Sequence, residues 1–117
     1  MTATAIQSII VTGMSFRQPT LTELALHLAS LTNVRARLRP EPDNEYDADA
    51  TAVDIEGAHV AYLPRMWRET FNEEMKAACV RLLAGEGVAF ADLVRYADDA
   101  GESRWTVRLY GEFKDAH

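Results

Sequence analysis

The sequence predicts a mainly β domain of the α+β class, in which about six short strands form a small, partly closed antiparallel barrel and two helices cover its ends. Most apolar segments are short, and they either alternate with polar residues or are rich in β-branched residues. Turn residues separate these segments closely, and only two segments have helical periodicity. Since the chain has 117 residues, 48% of them hydrophobic, we expect a single domain over residues 1–117.

The predicted strands follow from residue type and alternation. Residues 6–12 are rich in β-branched residues, and arginines alternate with apolar residues over 34–39. The other predicted strands cover residues 50–56, 59–63, 88–96 and 104–113. Eight apolar residues, in phase with the inward faces of the strands or on a helix stripe, are expected in the core: Leu38, Val53, Ile55, Val60, Phe71, Leu82, Val107 and Leu109.

Two segments have apolar residues at helical spacing. Leucines at positions 21, 24, 28 and 31 indicate a first helix, which a Thr20-x-x-Glu23 capping box would start and Asn33 would end. Residues 67–84 indicate a second helix, with another capping box at Thr70 and Glu73 and with Gly85 just after its end.

Charge and composition narrow the function classes. The net charge of −6 argues against a protein that coats nucleic acid through its overall field, although it leaves room for a local basic site. No apolar run approaches the ~20 residues of a membrane helix, and the first residues lack the basic segment of a secretory signal. The single cysteine, Cys79, gives neither an internal disulfide nor a cysteine-based zinc cluster. We therefore expect a cytoplasmic protein.

Catalytic and metal-binding patterns are weak. His27, His59 and His117 are scattered, and the sequence has no nucleophile elbow, no glycine-rich phosphate loop and no His-x-x-x-His pair. An EF-hand counted from Asp43 would put Ala48 and Asp54 where it needs glycine and a bidentate glutamate. We expect no metal, no cofactor and no enzymatic activity, and a small metal-dependent hydrolase is the weakest alternative.

The segment Arg39–Val53 is the most unusual part of the chain, because it combines two prolines, several carboxylates, an asparagine and a tyrosine between two apolar runs. Asp43 and Asn44 are typical of residues that hold a turn by bonding to nearby backbone groups. The ring of Tyr46 either packs on the barrel or is presented for stacking. Composition alone favours packing.

Arg35, Arg37 and Arg39 project from one face of a predicted strand and form a basic stripe. Arg17, Arg65 and Arg68 are placed to extend it. One interpretation is that these guanidinium groups bind phosphates between bases stacked on nearby aromatic residues, namely Phe16, Tyr46 and Tyr62. The other is cross-strand pairing with Asp54 and Glu56, which we expect to neutralise at least one of the three arginines.

Three segments, in the same order, resemble the HIRAN domain family. They are Val11-Thr-Gly-Met-Ser-Phe16, Glu41-Pro-Asp-Asn-Glu-Tyr-Asp-Ala-Asp-Ala50 and Gly57-Ala-His-Val-Ala-Tyr-Leu-Pro-Arg65. The resemblance implies a small OB-like or SH3-like barrel. It also implies binding of the free 3′ end of single-stranded DNA, as in the HIRAN domains of fork-remodelling helicases.

Carried over by motif position, the resemblance implies that Phe16 and Tyr46 stack on the end bases, that Asp47 binds the terminal hydroxyl and that Arg65 contacts phosphate. Two positions depart from the DNA-end-binding members of the family. Ser15 stands where they have an arginine, and Tyr62 stands where they have a histidine.

The sequence thus predicts a non-catalytic module that recognises the 3′-OH end of single-stranded or frayed DNA and targets repair or replication restart, with a helicase or nuclease as its protein partner. The alternative is a protein-interaction module whose acidic loop and strand edge dock a partner chain. Eight residues are predicted to bind DNA: Phe16, Arg17, Arg37, Arg39, Tyr46, Asp47, Tyr62 and Arg65.

Overall fold

The computed structural model describes residues 3–115, which form six β-strands, three α-helices and a short 3-10 turn; His117 lies outside this range. The strands are β1 (Ala3–Ile9), β2 (Val34–Pro40), β3 (Thr51–Ile55), β4 (Ala58–Tyr62), β5 (Val88–Ala97) and β6 (Ser103–Asp115). The helices are α1 (Gln18–His27), α2 (Trp67–Thr70) and α3 (Glu73–Leu83), and the 3-10 turn covers Met14–Phe16. Within the described range, no helix combines the length and the hydropathy needed to cross a membrane.

The strands of the described chain belong to one antiparallel sheet in the order β1-β6-β5-β2-β3-β4. After β1, Thr12 pairs with Tyr62 of β4 through two backbone hydrogen bonds of 2.8 Å, each residue donating its N–H to the other's carbonyl oxygen. This pairing joins the β1 side of the sheet to the β4 side, so the sheet is barrel-like. The predicted class, mainly β with six antiparallel strands, is confirmed, whereas the described residues form three α-helices where two were predicted.

The core lies between the inward faces of the strands and the helices that pack on them. Helix α1 packs against β4 and β6, and α3 packs against β1, β2 and β6. Six of the eight predicted core residues are buried: Leu38, Val53, Ile55, Val60, Val107 and Leu109. The other two, Phe71 and Leu82, are partly buried and pack against this cluster. The alternation seen in the sequence therefore gave the correct register for these strands.

The start of α1 differs from the prediction. The helix begins at Gln18, so Thr20 lies inside it and makes no capping box. The Gln18 side chain bridges to β6: its amide N–H donates to Trp105 O at 2.8 Å, and its amide oxygen accepts from the Trp105 N–H at 2.7 Å. Pro19 in the first turn adds a residue whose fixed φ suits a helix start. This tertiary contact, rather than local capping, sets where the helix begins.

The second predicted helix is divided in two. Phe71 is extended (φ −69°, ψ 147°) and ends α2. Asn72 then caps α3, its side-chain oxygen accepting from the Met75 N–H at 2.8 Å. The predicted Thr70–Glu73 capping box is therefore wrong, because asparagine takes the N-cap position. The break lets Phe71 turn towards the core while α3 takes a new direction.

Cys79 of α3 is completely buried and is a free thiol. Burial away from water disfavours the thiolate and raises the pKa of Cys79 to about 12. At neutral pH the side chain is therefore a protonated, apolar member of the core.

Gly85 ends α3 as the sequence predicts. It has a φ of 82°, and its N–H donates to Leu82 O at 3.1 Å while the N–H of Glu86 donates to Arg81 O at 2.9 Å. These two bonds form a Schellman motif. A Cβ added to Gly85 would meet nothing within 4 Å, so only the backbone conformation favours glycine there.

Gly87 has a similar φ, 72°, but a crowded environment. A Cβ added there would lie 2.4 Å from Cδ1 of Phe113 and 2.6 Å from the carbonyl oxygen of Glu112. Both atoms belong to β6, which the core holds in place. Glycine is therefore required at this position for space as well as for conformation.

The comparison of Gly87→Ala with Gly85→Ala separates these two effects. Both changes strain a left-handed backbone, at about 1–2 kcal/mol. Only Gly87→Ala adds overpacking, which typically costs about 1–3 kcal/mol. Urea denaturation should therefore show a free energy of unfolding that is lower by that further amount in Gly87→Ala. Equal losses in the two variants would mean that β6 moves aside at no cost.

Candidate nucleic-acid interface

The loop between β2 and β3 is held by its own backbone. The N–H of Glu41 donates to Ala50 O at 2.9 Å, which joins the two ends of the loop. Inside it, the N–H of Ala50 donates to Asp47 O and the N–H of Asn44 donates to Glu41 O, both at 3.0 Å. The loop therefore has a defined shape despite its polar composition.

Asn44 turns the chain as the sequence predicts. Its side-chain oxygen accepts from the N–H of Tyr46 at 2.9 Å and from the N–H of Asp47 at 3.0 Å. This bond pattern is an Asx-turn, and it positions the next two residues. Asp43, for which the same role was expected, is exposed and makes no side-chain hydrogen bond among the described residues.

The two carboxylate oxygens of Asp47 differ: one bonds to the loop backbone, and the other is available to a ligand. Its Oδ1 accepts from the N–H of Asp49 at 2.9 Å, which fixes the rotamer of the carboxylate. Its Oδ2 has no hydrogen-bond partner within residues 3–115. A carboxylate held in this way can accept a hydrogen bond from a ligand without first losing rotational freedom.

Glu41 anchors the start of the loop to the barrel. Its Oε1 accepts from the hydroxyl of Tyr62 at 2.7 Å and from the side-chain amide of Asn44 at 3.2 Å. Its Oε2 accepts from Nη1 of Arg39 at 3.1 Å. The hydroxyl of Tyr62 is the largest cause that lowers the pKa of Glu41, and Asn44 and Arg39 act in the same direction. The same hydrogen bond, with burial, raises the pKa of Tyr62.

Arg39 is committed to carboxylates. Its Nε donates to Oδ2 of Asp54 at 2.7 Å and its Nη2 donates to Oδ1 at 3.3 Å, so the contact is bidentate. With Glu41 on its other side, the charge of Arg39 is neutralised within the protein. The expectation that at least one of the three β2 arginines is paired is therefore confirmed.

Arg35 and Arg37 differ from Arg39. Both are exposed, and neither makes an ion pair with any described residue. Glu56, the second predicted partner, makes no ion pair in the same range. Two guanidinium groups of the stripe thus remain open to a ligand.

A surface depression of about 330 Å³ gathers four of the eight predicted DNA-binding residues. They come from the loop and from β4 and its end: Tyr46, Asp47, Tyr62 and Arg65. Thr12, Asn44, Ala50 and Leu63 complete the lining. The depression therefore lies where the barrel-closing pair meets the loop.

Tyr46 and Phe16 present their rings to solvent. Tyr46 is 81% exposed and Phe16 is 85% exposed, so composition gave the wrong orientation for Tyr46. The main-chain oxygen of Tyr46 accepts from Nη2 of Arg65 at 3.4 Å, which ties this guanidinium to the backbone of the loop. Phe16 ends the 3-10 turn that follows Thr12, and it does not line the depression.

Arg17 lies within electrostatic range of Tyr62 and His59. Burial is the main cause that lowers the pKa of His59, and the charge of Arg17 adds to it. The same charge acts on Tyr62, where it opposes the effect of Glu41. Arg17 therefore adds positive potential on the β4 side of the depression.

Glu41 was not distinguished by sequence from the other carboxylates of the loop. Its spacing from Arg39 was the available signal, because residues two apart on an extended chain share a face. The pairing of Thr12 with Tyr62 left no local signal, since the two residues are distant in sequence. Within the described residues, no group of three or more His, Cys, Asp or Glu side chains is arranged to hold a metal ion.

Comparisons of the chain with protein-family models, with curated proteins and with solved structures yield no match. The resemblance to HIRAN domains therefore stays a prediction that rests on the three sequence segments.

Replacing Glu41 tests whether its network fixes the loop. Glu41→Gln removes the charge that binds Arg39 and should lower stability at pH 7 by about 1–2 kcal/mol. Because the folded pKa of Glu41 lies below its ordinary value of 4.5, this contribution is complete at neutral pH and is lost as the pH falls from about 4.5 through the folded pKa. The difference between the two proteins should therefore shrink in acid, as followed by urea denaturation at several pH values.

Glu45→Gln is the matched control, since Glu45 is exposed in the same loop. It should leave stability unchanged within about 0.5 kcal/mol. A similar loss in both variants would show that the net charge of the loop, not the Glu41 network, matters.

Proposed function

We propose that this chain is a HIRAN-like, non-catalytic module that binds the 3′-OH end of single-stranded or frayed DNA. The observation that carries the proposal is the depression, where an exposed aromatic ring, a carboxylate with an open oxygen and a guanidinium group meet. These are the residues to which the resemblance assigns stacking, hydroxyl binding and phosphate contact: Tyr46, Asp47 and Arg65.

The carboxylate gives the proposed selectivity for the end. Oδ2 of Asp47 accepts a hydrogen bond from a terminal hydroxyl, whereas a terminal phosphate brings negative charge against it. Asp47 thus distinguishes a free end from a phosphorylated end without reading sequence.

The aromatic and basic groups hold the rest of the terminal nucleotides. An exposed ring such as Tyr46 stacks on any base, because every base has a π-face. Arg65 uses one N–H on the Tyr46 carbonyl and has others directed to solvent for a phosphate. Phe16, at the end of the 3-10 turn, supplies a second stacking surface.

The chain departs from the family pattern at two positions, Ser15 and Tyr62, and we assign roles to Arg17 and Tyr62 accordingly. With Ser15 in place of an arginine, Arg17 is the nearby cation of the same turn, and its charge reaches Tyr62 and His59. Tyr62 directs its hydroxyl to Glu41, so we assign it to holding the loop and to lining the site. Arg39, paired with two carboxylates, is left out of the DNA contacts.

In the proposed role the module brings a helicase or nuclease to DNA ends during repair or replication restart. We place it in the cytoplasm, a compartment in which free thiols such as Cys79 are kept reduced. The alternative is that a protein chain docks on the acidic loop and a strand edge. The following experiments would favour it if they show no DNA binding of the expected kind.

Tyr46→Ala tests the stacking surface. Loss of one stacked base costs roughly 1–3 kcal/mol, so affinity for a 5′-labelled single strand should fall by about 5- to 150-fold in fluorescence anisotropy. The loss should be similar for strands with a 3′-OH and with a 3′-phosphate. Tyr96→Ala is the control, because Tyr96 is 48% exposed on β5 and lies outside the depression. An equal loss in the two variants would contradict a stacking role that is specific to Tyr46.

Asp47→Asn tests the end selectivity with the loop intact. The amide oxygen keeps the acceptor for the Asp49 N–H, while the charge disappears and an N–H₂ donor takes the place of Oδ2. Binding of the 3′-OH strand should weaken and binding of the 3′-phosphate strand should improve, so that the preference between them collapses.

Asp43→Asn removes the same charge from an exposed position of the same loop and should keep the preference. Two outcomes would reject end recognition: a wild-type protein that binds the two strands equally, or an Asp47→Asn variant that loses affinity for both to the same extent.

A further inference from the structure

On the outside of the barrel, Arg35, Phe90 and Tyr110 form a row across three neighbouring strands, which we call the sheet platform. Arg35 of β2 pairs with Phe90 of β5, and Phe90 pairs with Tyr110 of β6. The residues that flank Phe90, Ala89 and Ala91, are buried, so the platform side chains point away from the core. The two rings are stacked, with centroids 6.0 Å apart and planes at 28°, and Cζ of Arg35 lies 6.0 Å from the Phe90 centroid.

Polar contacts fix the Tyr110 end of the platform. The hydroxyl of Tyr110 donates to Oδ1 of Asn33, and Oδ1 of Asp92 lies 3.4 Å away. Asp92 also accepts from the N–H of Asn33 at 2.9 Å, which ties the chain before β2 to β5. The ring is therefore held in one orientation before any ligand binds.

Arg35 and Arg37 provide the charge beside the platform. They line a groove of about 300 Å³ together with Asp54 and Glu56. The carboxylate of Asp54 is bound by Arg39 at 2.7 Å, whereas Glu56 makes no ion pair with a described residue. The charges of the lining sum to zero, but the two guanidinium groups are exposed and make no ion pair with a described residue, so both are available to a ligand.

We propose that the sheet platform and Arg37 bind internal nucleotides of a single DNA strand. A half-buried, stacked ring pair offers a surface on which bases of any sequence stack, and the two guanidinium groups offer contacts to phosphates. A single strand combines planar groups with regularly spaced negative charge, and the platform with its groove matches both features. The choice of strand rests on the proposed function: it is the strand whose 3′ end lies in the depression.

The length of β2 gives a scale for the distance between the two sites. Arg39, bound to Glu41 at the start of the loop, and Arg35 lie on the same face of β2 and are four residues apart. At ~3.3 Å per residue this is about 13 Å. A strand stacked as in a duplex, with one phosphate per ~3.4 Å of axis, covers that distance with about four nucleotides. Because Arg39 is not among the residues that line the depression, we expect only a strand longer than this to reach both sites.

The experiment measures how affinity depends on strand length. Oligothymidines of about four and about twelve nucleotides, each with a 3′-OH and with a 3′-phosphate, are titrated by anisotropy into the wild type and the variants. The wild type should bind the longer strand more tightly. Phe90→Ala should reduce that gain by about 5- to 150-fold, the equivalent of one stacked base, and leave the affinity for the short strand unchanged.

A variant that carries both Arg35→Ala and Arg37→Ala keeps the test valid if Phe90→Ala fails to fold, because both arginines are exposed. For the longer strand, the slope of log K against log salt should become shallower by about 1.4, from ~0.7 for each lost phosphate contact. Melting curves of the same samples verify that the variants are folded.

Arg95→Ala is the matched control. Arg95 also lies over an aromatic ring, 5.7 Å from the centroid of Trp105, but it is on the opposite face of β5 from Phe90. The Arg95→Ala variant should still bind the longer strand more tightly than the short one. Its slope of log K against log salt should equal that of the wild type.

The outcomes separate this inference from the proposed function. The platform is rejected if the wild type gains nothing from length, if the double arginine variant keeps the full gain, or if Arg95→Ala loses as much. If the preference for 3′-OH is absent but the gain with length depends on Arg35 and Phe90, the end site is rejected and the platform stands. A protein partner would be indicated if no strand of either length binds.

Discussion

The hydrogen bond from the Tyr62 hydroxyl to Glu41 connects the closure of the barrel to the shape of the loop. The backbone of the same tyrosine pairs with Thr12, and the 3-10 turn that carries Phe16 begins two residues later. A shift of Tyr62 would therefore move the sheet edge, the loop and the turn together. The candidate site depends on the closure of the barrel, since the surfaces that form it meet only there.

The three arginines of β2 differ in their pairing according to their position on the strand. Arg39 lies at the junction of β2 and the loop, where Glu41 and Asp54 compensate its charge. A partly buried group of this kind is stabilising only when every charge in it has a partner, because removing one leaves the others desolvated and unpaired. Arg35 and Arg37 are exposed and belong to no such charged group among the described residues. They remain available to a ligand.

The parts of the fold that depend on local pattern could be predicted, and those that depend on distant contacts could not. Alternation in β2 correctly placed Leu38 inward and the arginines outward. No local rule predicts that Gln18 bonds to Trp105, 87 residues later, and this contact moved the start of α1. Four of the residues that the sequence assigned to DNA binding line one depression: Tyr46, Asp47, Tyr62 and Arg65. Composition predicted that the ring of Tyr46 packs on the barrel, whereas it is exposed. Its orientation follows from the Asx-turn at Asn44, which residue counts do not contain.

The buried thiol of Cys79 has a practical consequence for work on this surface. With its pKa raised to about 12 and no exposed area, the thiolate that reacts with maleimides or peroxide is essentially absent at neutral pH. A cysteine introduced at an exposed position, such as Ser15 beside Phe16 in the sequence, would then be the single reactive thiol of the folded described chain. Site-specific fluorophores or crosslinkers can therefore be attached without first replacing the native cysteine and opening a cavity in the core.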